Sequence, residues 1–249
     1  MQAITPLNTR ECATDQTLPV LVIFPHAGGS PRFYSHWCQK LPDARLWGMT
    51  YPGRDGRSAE KPAPSIQQLA AACASQLAVR LAALPPVPVM LFGHSMGAWV
   101  AWECARLLEQ RLPAQRLVTV VSGQNPPDQS PGSRLHLAQD AALIADINRQ
   151  HPASRALWEI AELRQLFLPL VREDYRLLET YRAQPGTVRR LHVVYGRDDG
   201  EIDPTRIANW QHWGRERCRY RAFPGGHFYL AAPDTTLPRY LSELFHGEV

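Results

Sequence analysis

Short apolar runs, several of them rich in β-branched residues, alternate with longer stretches of helical spacing through the first half of the chain. Residues 20–24 (Val-Leu-Val-Ile-Phe), 45–51, 87–92 and 117–121 are largely apolar, the pattern of strands covered on both faces. Between them, residues 65–84 carry Ile66, Leu69, Ala70, Cys73, Leu77 and Leu81 on one helical stripe, with Ser65 placed as the N-cap. Residues 98–111 are apolar almost all round (Trp99, Val100, Trp102, Cys104, Leu107, Leu108), which predicts a helix buried on several sides. A shorter helix is predicted over 33–41. Strands and helices in strict alternation imply a parallel sheet with helices on both faces.

The alternation stops at 125–133, a turn-rich stretch (Asn-Pro-Pro-Asp-Gln-Ser-Pro-Gly-Ser). Only helical spacing follows, over 141–149 and 156–181, the second with an expected kink at Pro169. Strand signals return at 191–195 and 219–223, each followed by a helix, at 204–213 and 237–245. The reading is one α/β domain over 1–249, with a helical lid inserted at 125–185, and a loose polar arm at 1–17.

One turn carries most of the chemistry. Gly93-His94-Ser95-Met96-Gly97 reads as G-x-S-x-G between an apolar run and a helical run. A serine on such a strand–turn–helix corner sits in a strained backbone, with its hydroxyl lifted off the sheet end. A serine hydroxyl needs a base, and the base an orienting acid, in the chain order Ser, Asp or Glu, His. Of nine histidines only His227 follows a late strand in a glycine-bearing loop, Pro224-Gly225-Gly226-His227. His192 falls inside a strand. His26 and His94 flank glycine-rich turns and could line the site. His36, His136, His151, His212 and His246 are expected to face solvent. The loop after 191–195 offers Asp198, Asp199, Glu201 and Asp203 as acids; Asp199 is the first choice and Asp198 the second, while Asp203 suits a helix cap. The Met96 N–H and one N–H of the Pro25-His26-Ala27-Gly28-Gly29 loop, at Ala27, are expected to hold the oxyanion. Spacing alone stops at a serine hydrolase of a carbonyl ester, thioester or oxygen ester alike; a small-ester carboxylesterase or lipase, and a non-catalytic hydrolase-fold binding protein, remain alternatives.

Composition narrows this reading. The chain has 249 residues, 45% hydrophobic and 20% charged, with a net charge of +4. Lys40 and Lys61 are the only lysines, and no basic run suggests nucleic acid. No apolar run is long enough to span a bilayer, and no signal-peptide pattern opens the chain. Five scattered cysteines (Cys12, Cys38, Cys73, Cys104, Cys218) read as free thiols in a reducing cytoplasm. No H-E-x-x-H, phosphate loop, G-x-G-x-x-G or C-x-x-C occurs, so neither metal nor cofactor is expected.

Taken together, Phe24-Pro25-His26-Ala27-Gly28-Gly29, Tyr51-Pro52-Gly53-Arg54, Gly93-His94-Ser95-Met96-Gly97-Ala98, Gly196-x-x-Asp199 and Gly225-Gly226-His227-Phe228 resemble the type II thioesterases, stand-alone editing enzymes of nonribosomal peptide and polyketide synthesis. The resemblance covers nearly the whole chain and implies an α/β-hydrolase fold with a helical lid. It carries Ser95, Asp199 and His227 as the triad, with Ala27 and Met96 as oxyanion donors. Its implied substrates are acyl groups stalled on the phosphopantetheine arm of acyl or peptidyl carrier domains, with no cofactor of the enzyme's own. The overall flavour is similar to thioesterases of siderophore assembly lines. A monomer is expected, and Arg54 and Arg57 are either a cationic mouth for an acidic carrier domain or a solvated turn.

Overall fold

Each apolar run becomes a strand. The computed structural model describes residues 3–8, 15–129 and 132–248. Cys12, residues 1–2 and 9–14 of the arm expected to be loose, and residues 130–131 of the turn-rich stretch lie outside the described residues. Among the described residues, the strands are β1 (Ile4–Pro6), β2 (Val20–Phe24), β3 (Arg45–Met49), β4 (Val89–His94), β5 (Leu117–Ser122), β6 (Leu191–Gly196) and β7 (Arg219–Phe223). They form a seven-stranded sheet in the order β1-β3-β2-β4-β5-β6-β7. Every pairing is parallel except that of β1 on β3, which is antiparallel with Ile4 opposite Met49.

The strand period of two sorts side chains between two cores. Val20, Val22 and Phe24 join one hydrophobic cluster, and Leu21 and Ile23 join the other. On the first face pack α1 (Ile66–Ala82) and α2 (Met96–Arg111); the Ser65 hydroxyl caps α1 by accepting from the Gln68 N–H. On the second face pack a 3₁₀ segment, Pro31–Gln39, through Tyr34 and Trp37, and the final helix, which begins at Leu237. His192 is buried inside β6, as its strand position implies.

Between β5 and β6 the chain is helical: α3 (Asp140–Gln150), α4 (Arg155–Glu159) and α5 (Ala161–Thr180), with the final helix thus α6 (Leu237–Glu248). These elements carry a small core of their own around Leu143, Trp158, Leu168, Val171 and Tyr175. The predicted 156–181 helix is interrupted at Ile160, whose backbone is extended, and α5 continues through Pro169. Glu179 near the end of α5 ties down the entry to this insertion. Its carboxylate accepts from the Ser133 hydroxyl (2.6 Å), the Leu135 N–H (2.7 Å), the His136 N–H (3.0 Å) and the His136 ring. Burial alone would raise its pKa; the donors outweigh burial and hold it below the ordinary range. His136, expected in solvent, is therefore a bonded residue of the insertion.

Cys73, Cys104 and Cys218 are free thiols. No helix among the described residues is long and apolar enough to cross a membrane.

Candidate active site

Parallel strands present their carboxyl ends on one side of the sheet, and the loops leaving β2, β4, β6 and β7 meet there. β4 lies mid-sheet, and its last residue, His94, passes directly into Ser95. Ser95 has φ 54° and ψ −123°, a left-handed conformation that a side chain rarely adopts. The corner is held by the Ser95 N–H donating to the Ser122 carbonyl (2.8 Å) and the Ala98 N–H donating back to the Ser95 carbonyl (2.9 Å). It also needs glycine at 97, because a Cβ there would collide with the Phe24 and Pro25 carbonyls of β2 and its loop.

The loops after β6 and β7 bring acid and base together. His227 Nδ1 lies 2.9 Å from Asp199 Oδ2, both side chains being almost completely buried. The other Asp199 oxygen accepts from the Glu201 N–H at 3.0 Å. Asp198 points outward into solvent, and its N–H donates to the Gly225 carbonyl (3.0 Å), joining the two loops. Of the two aspartates, Asp199 is the one whose carboxylate meets the His227 ring. Asp203 turns its carboxylate back onto the Thr205 N–H and hydroxyl, a local turn away from the base.

His227 Nε2 is buried and has no hydrogen-bond partner among the described residues. Ser95 and His227 line the same cavity, of about 800 Å³, together with Ala27 from the β2 loop. Neither the Ala27 N–H nor the Met96 N–H donates to a described residue, which leaves two backbone donors beside the serine. Nucleophile, unpaired base nitrogen, orienting acid and free N–H groups are the parts of an acyl-transfer centre. Among the described residues no group of three or more His, Cys, Asp or Glu is arranged to hold a metal ion.

The family model described as the thioesterase domain matches residues 19–246. The chain belongs to the thioesterase family. It is 35% identical over 215 residues to a probable cadicidin biosynthesis thioesterase of Streptomyces griseus, an alignment covering 84% of this chain and 58% of that protein. Among solved structures, it resembles the type II thioesterase YbtT of the yersiniabactin NRPS/PKS pathway with TM-score 0.82 and 32% identity, over 98% of this chain and 97% of that one. The type II thioesterase BorB of the borrelidin cluster aligns with TM-score 0.77 and 33% identity, over 92% of each chain. The resemblance read from the five sequence blocks, and the α/β-hydrolase fold it implied, are borne out.

Three features of this thioesterase site escaped sequence reading. The first is the neutral state of His26 and His94, which the sequence places only as residues that could line the site. The His94 ring lies 4.8 Å from that of His227 and 6.1 Å from that of His26, and His94 Nδ1 is 3.0 Å from the Ser122 hydroxyl. Burial first, then the neighbouring His227 and His26, hold the His94 pKa well below its ordinary value. His26 is pushed down to about 3, chiefly by burial and then by His227, His151 and Arg54. The second is His151, expected in solvent, which stacks on Phe228 with 4.4 Å between ring centroids and lines the cavity. The third is Asn125, read only as part of a linker. Its side chain donates to the Glu201 carbonyl (2.7 Å) and accepts from the Asp203 N–H (2.9 Å), bracing the loop that carries Asp199.

The buried imidazoles make stability depend on pH. The unfolded chain protonates these histidines below about 6.5, whereas the folded chain resists protonation until well below that value. Stability is therefore complete above about pH 6.5 and falls as pH drops, by about 1.4 kcal/mol per pH unit for each proton withheld. Thermal unfolding between pH 7 and 5 is expected to show a shallower decline of Tm in His94→Asn than in the parent; parallel lines for the two would exclude His94 as the source.

Proposed function

We propose that this chain is a stand-alone editing thioesterase that hydrolyses stalled or aberrant acyl and aminoacyl groups from the phosphopantetheine arm of carrier domains in nonribosomal peptide or polyketide synthesis. A siderophore assembly line is the pathway the sequence resemblance favours. The observation that carries the reading is one cavity containing Ser95 and the unpaired Nε2 of a histidine whose other nitrogen is fixed by a buried carboxylate. The helical insertion is the lid of this cavity; Phe167, Val171 and Trp158 supply an apolar wall for the acyl chain.

In this reading Ser95 Oγ attacks the acyl carbon while His227 Nε2 takes its proton. The carbonyl oxygen becomes an oxyanion held by the Ala27 and Met96 N–H groups. Collapse of the tetrahedral intermediate breaks the carbon–sulfur bond; the sulfur leaves as a thiolate, takes the proton from the His227 imidazolium and departs as the pantetheine thiol, which returns His227 to its neutral form. Water, deprotonated by His227, then attacks the acyl-enzyme and releases the carboxylic acid and free Ser95. The neutral His94 and His26 keep further positive charge away from the imidazolium that forms at His227. The enzyme works as a monomer in the cytoplasm and needs no cofactor, because the carrier domain brings the pantetheine arm.

Carrier domains loaded with different acyl groups should lose mass corresponding to the acyl chain when incubated with the protein. For one acyl group, kcat/KM is expected to favour the carrier thioester over the nitrophenyl ester by at least about tenfold, or 1.4 kcal/mol. Equal values would favour a general esterase and sink the carrier-domain assignment.

A further inference from the structure

We propose that Asp174, on the helical insertion, is a positioning residue for the oxyanion loop, acting together with Arg54. The inference rests on the assignment of Ala27 as an oxyanion donor. Arg54 was expected either to face an acidic partner or to sit in a solvated turn, and it does neither. Its side chain is 6% exposed, that of Asp174 is 4% exposed, and Arg54 Nη2 donates to Asp174 Oδ1 at 2.7 Å. Arg57 is also engaged, with the Thr50 carbonyl (2.7 Å) and Glu60.

The Arg54–Asp174 pair grips the loop from both sides. The Gly28 N–H donates to Asp174 Oδ2 at 2.6 Å, and Arg54 Nη1 donates to the Gly29 carbonyl at 2.9 Å. The Arg54 guanidinium lies over the Tyr51 ring, 5.2 Å from its centroid, and the Tyr51 hydroxyl donates to the Pro25 carbonyl at 3.2 Å. The Gly29 N–H closes the turn onto the His26 carbonyl at 2.9 Å. Gly28 itself has φ +72°, open to glycine without strain, and Val171 of α5 sits so close that a Cβ at Gly28 would come within 2.6 Å of Val171 Cγ2. Polar groups on both sides of Ala27 are thus bound, while Ala27 lines the cavity and its own N–H donates to no described residue.

A buried ion pair contributes little net stability compared with apolar residues of the same volume. What an apolar pair cannot do is accept from one loop N–H and donate to a carbonyl one residue on. The consequence of this pair is therefore the shape of residues 25–29, and with it the direction of the Ala27 donor. An oxyanion donor displaced by a fraction of an ångström stops being worth its full contribution, because the benefit is confined to short, aligned hydrogen bonds.

The test compares Asp174→Asn and Arg54→Lys with the parent, using a thioester and a nitrophenyl ester of the same acyl group. Asp174→Asn is expected to lower kcat by about 100-fold with both substrates, the scale of one lost oxyanion donor, and to change KM by less than about threefold. Arg54→Lys, which keeps the charge but not the two-pronged contact to the Gly29 carbonyl and Asp174, is expected to lower kcat by about tenfold, between the parent and Asp174→Asn. Affinity for an acyl boronic acid, whose adduct on Ser95 is tetrahedral, should fall in step with kcat, while affinity for the planar carboxylic acid product stays unchanged. In the unsubstituted protein the Gly28 amide proton is expected to resonate downfield and to be protected from exchange. An Asp174→Asn kcat within about threefold of the parent overturns the proposal; so does equal weakening of boronate and product, or an unprotected Gly28 amide. If the protein turns over the nitrophenyl ester and not the carrier thioester, the functional assignment fails while this test still runs to completion on the ester.

Discussion

Ser95→Ala is expected to lower kcat by on the order of 10⁶-fold, about 8 kcal/mol of transition-state stabilisation, on carrier thioesters and nitrophenyl esters alike. The substitution removes the one atom that forms the acyl bond and little else. The Ser95 side chain makes no capping bond to α2, and alanine must adopt the same left-handed backbone, so the variant keeps the fold and the strain. Its Tm should therefore stay within about 2 °C of the parent, as for a substitution costing under 0.5 kcal/mol. Ser95→Gly should be equally inactive but more stable, because glycine adopts φ 54° without strain and the corner stops storing energy on the order of 1 kcal/mol. Single-turnover assays, labelling by a fluorophosphonate and thermal melts on the three proteins check all of this. Turnover retained in Ser95→Ala, or labelling undiminished by it, would remove Ser95 from the mechanism. Activity lost together with a large fall in Tm would mean that the hydroxyl holds the corner.

Much of this site is legible along the chain, for a physical reason. Strands buried on both faces have no polar alternation to confuse them, so the apolar runs that become β2, β4 and β5 announce themselves. The loops after them must carry the chemistry, and G-x-S-x-G and G-G-H mark those loops by residues that only a close backbone approach requires. β1 is illegible for the opposite reason. Three residues ending in Pro6, paired on one side only, contain too little pattern to separate from an arm. The 33–41 and 204–213 stretches have helical spacing, yet they form 3₁₀ turns over Pro31–Gln39 and Ile207–Trp213, a distinction that periodicity over two turns cannot make.

The less legible part is the set of contacts made between distant segments. Asp174 lies in a helix whose spacing says only that one face is apolar, and Arg54 in a turn that could equally be solvated. Their pairing across 120 positions exists only after the insertion folds back over the β2 loop. His151 is similar: its place near the end of a polar helix suggests solvent, and only the tertiary stack on Phe228 brings it into the cavity. Adjacent Asp198 and Asp199 are chemically identical in sequence. The turn after β6 separates them by burying one side chain and exposing the other.

That separation leads to the second large effect. Asp199→Asn is expected to lower kcat by about 10⁴-fold, whereas Asp198→Asn should leave it within about twofold. The reason lies in what an amide can offer at residue 199. One carboxylate oxygen accepts from His227 Nδ1 and the other from the Glu201 N–H. An asparagine has a single oxygen for these two donors. The Glu201 N–H is fixed by the backbone and cannot change its proton, so the amide oxygen settles there and the amide N–H₂ turns to His227. Nδ1 must then accept, which places the imidazole proton on Nε2, the nitrogen that has to take the proton of Ser95. The base is blocked by its tautomer while the geometry stays intact. Nitrogen-15 spectra of the imidazole should show the change of tautomer directly in Asp199→Asn and its absence in Asp198→Asn. The residual rate of Asp199→Asn should rise with hydroxide, which can remove the Ser95 proton without the imidazole. A full rate in Asp199→Asn with a tenth of the rate or less in Asp198→Asn would transfer the acid to the exposed neighbour, against the burial that favours Asp199.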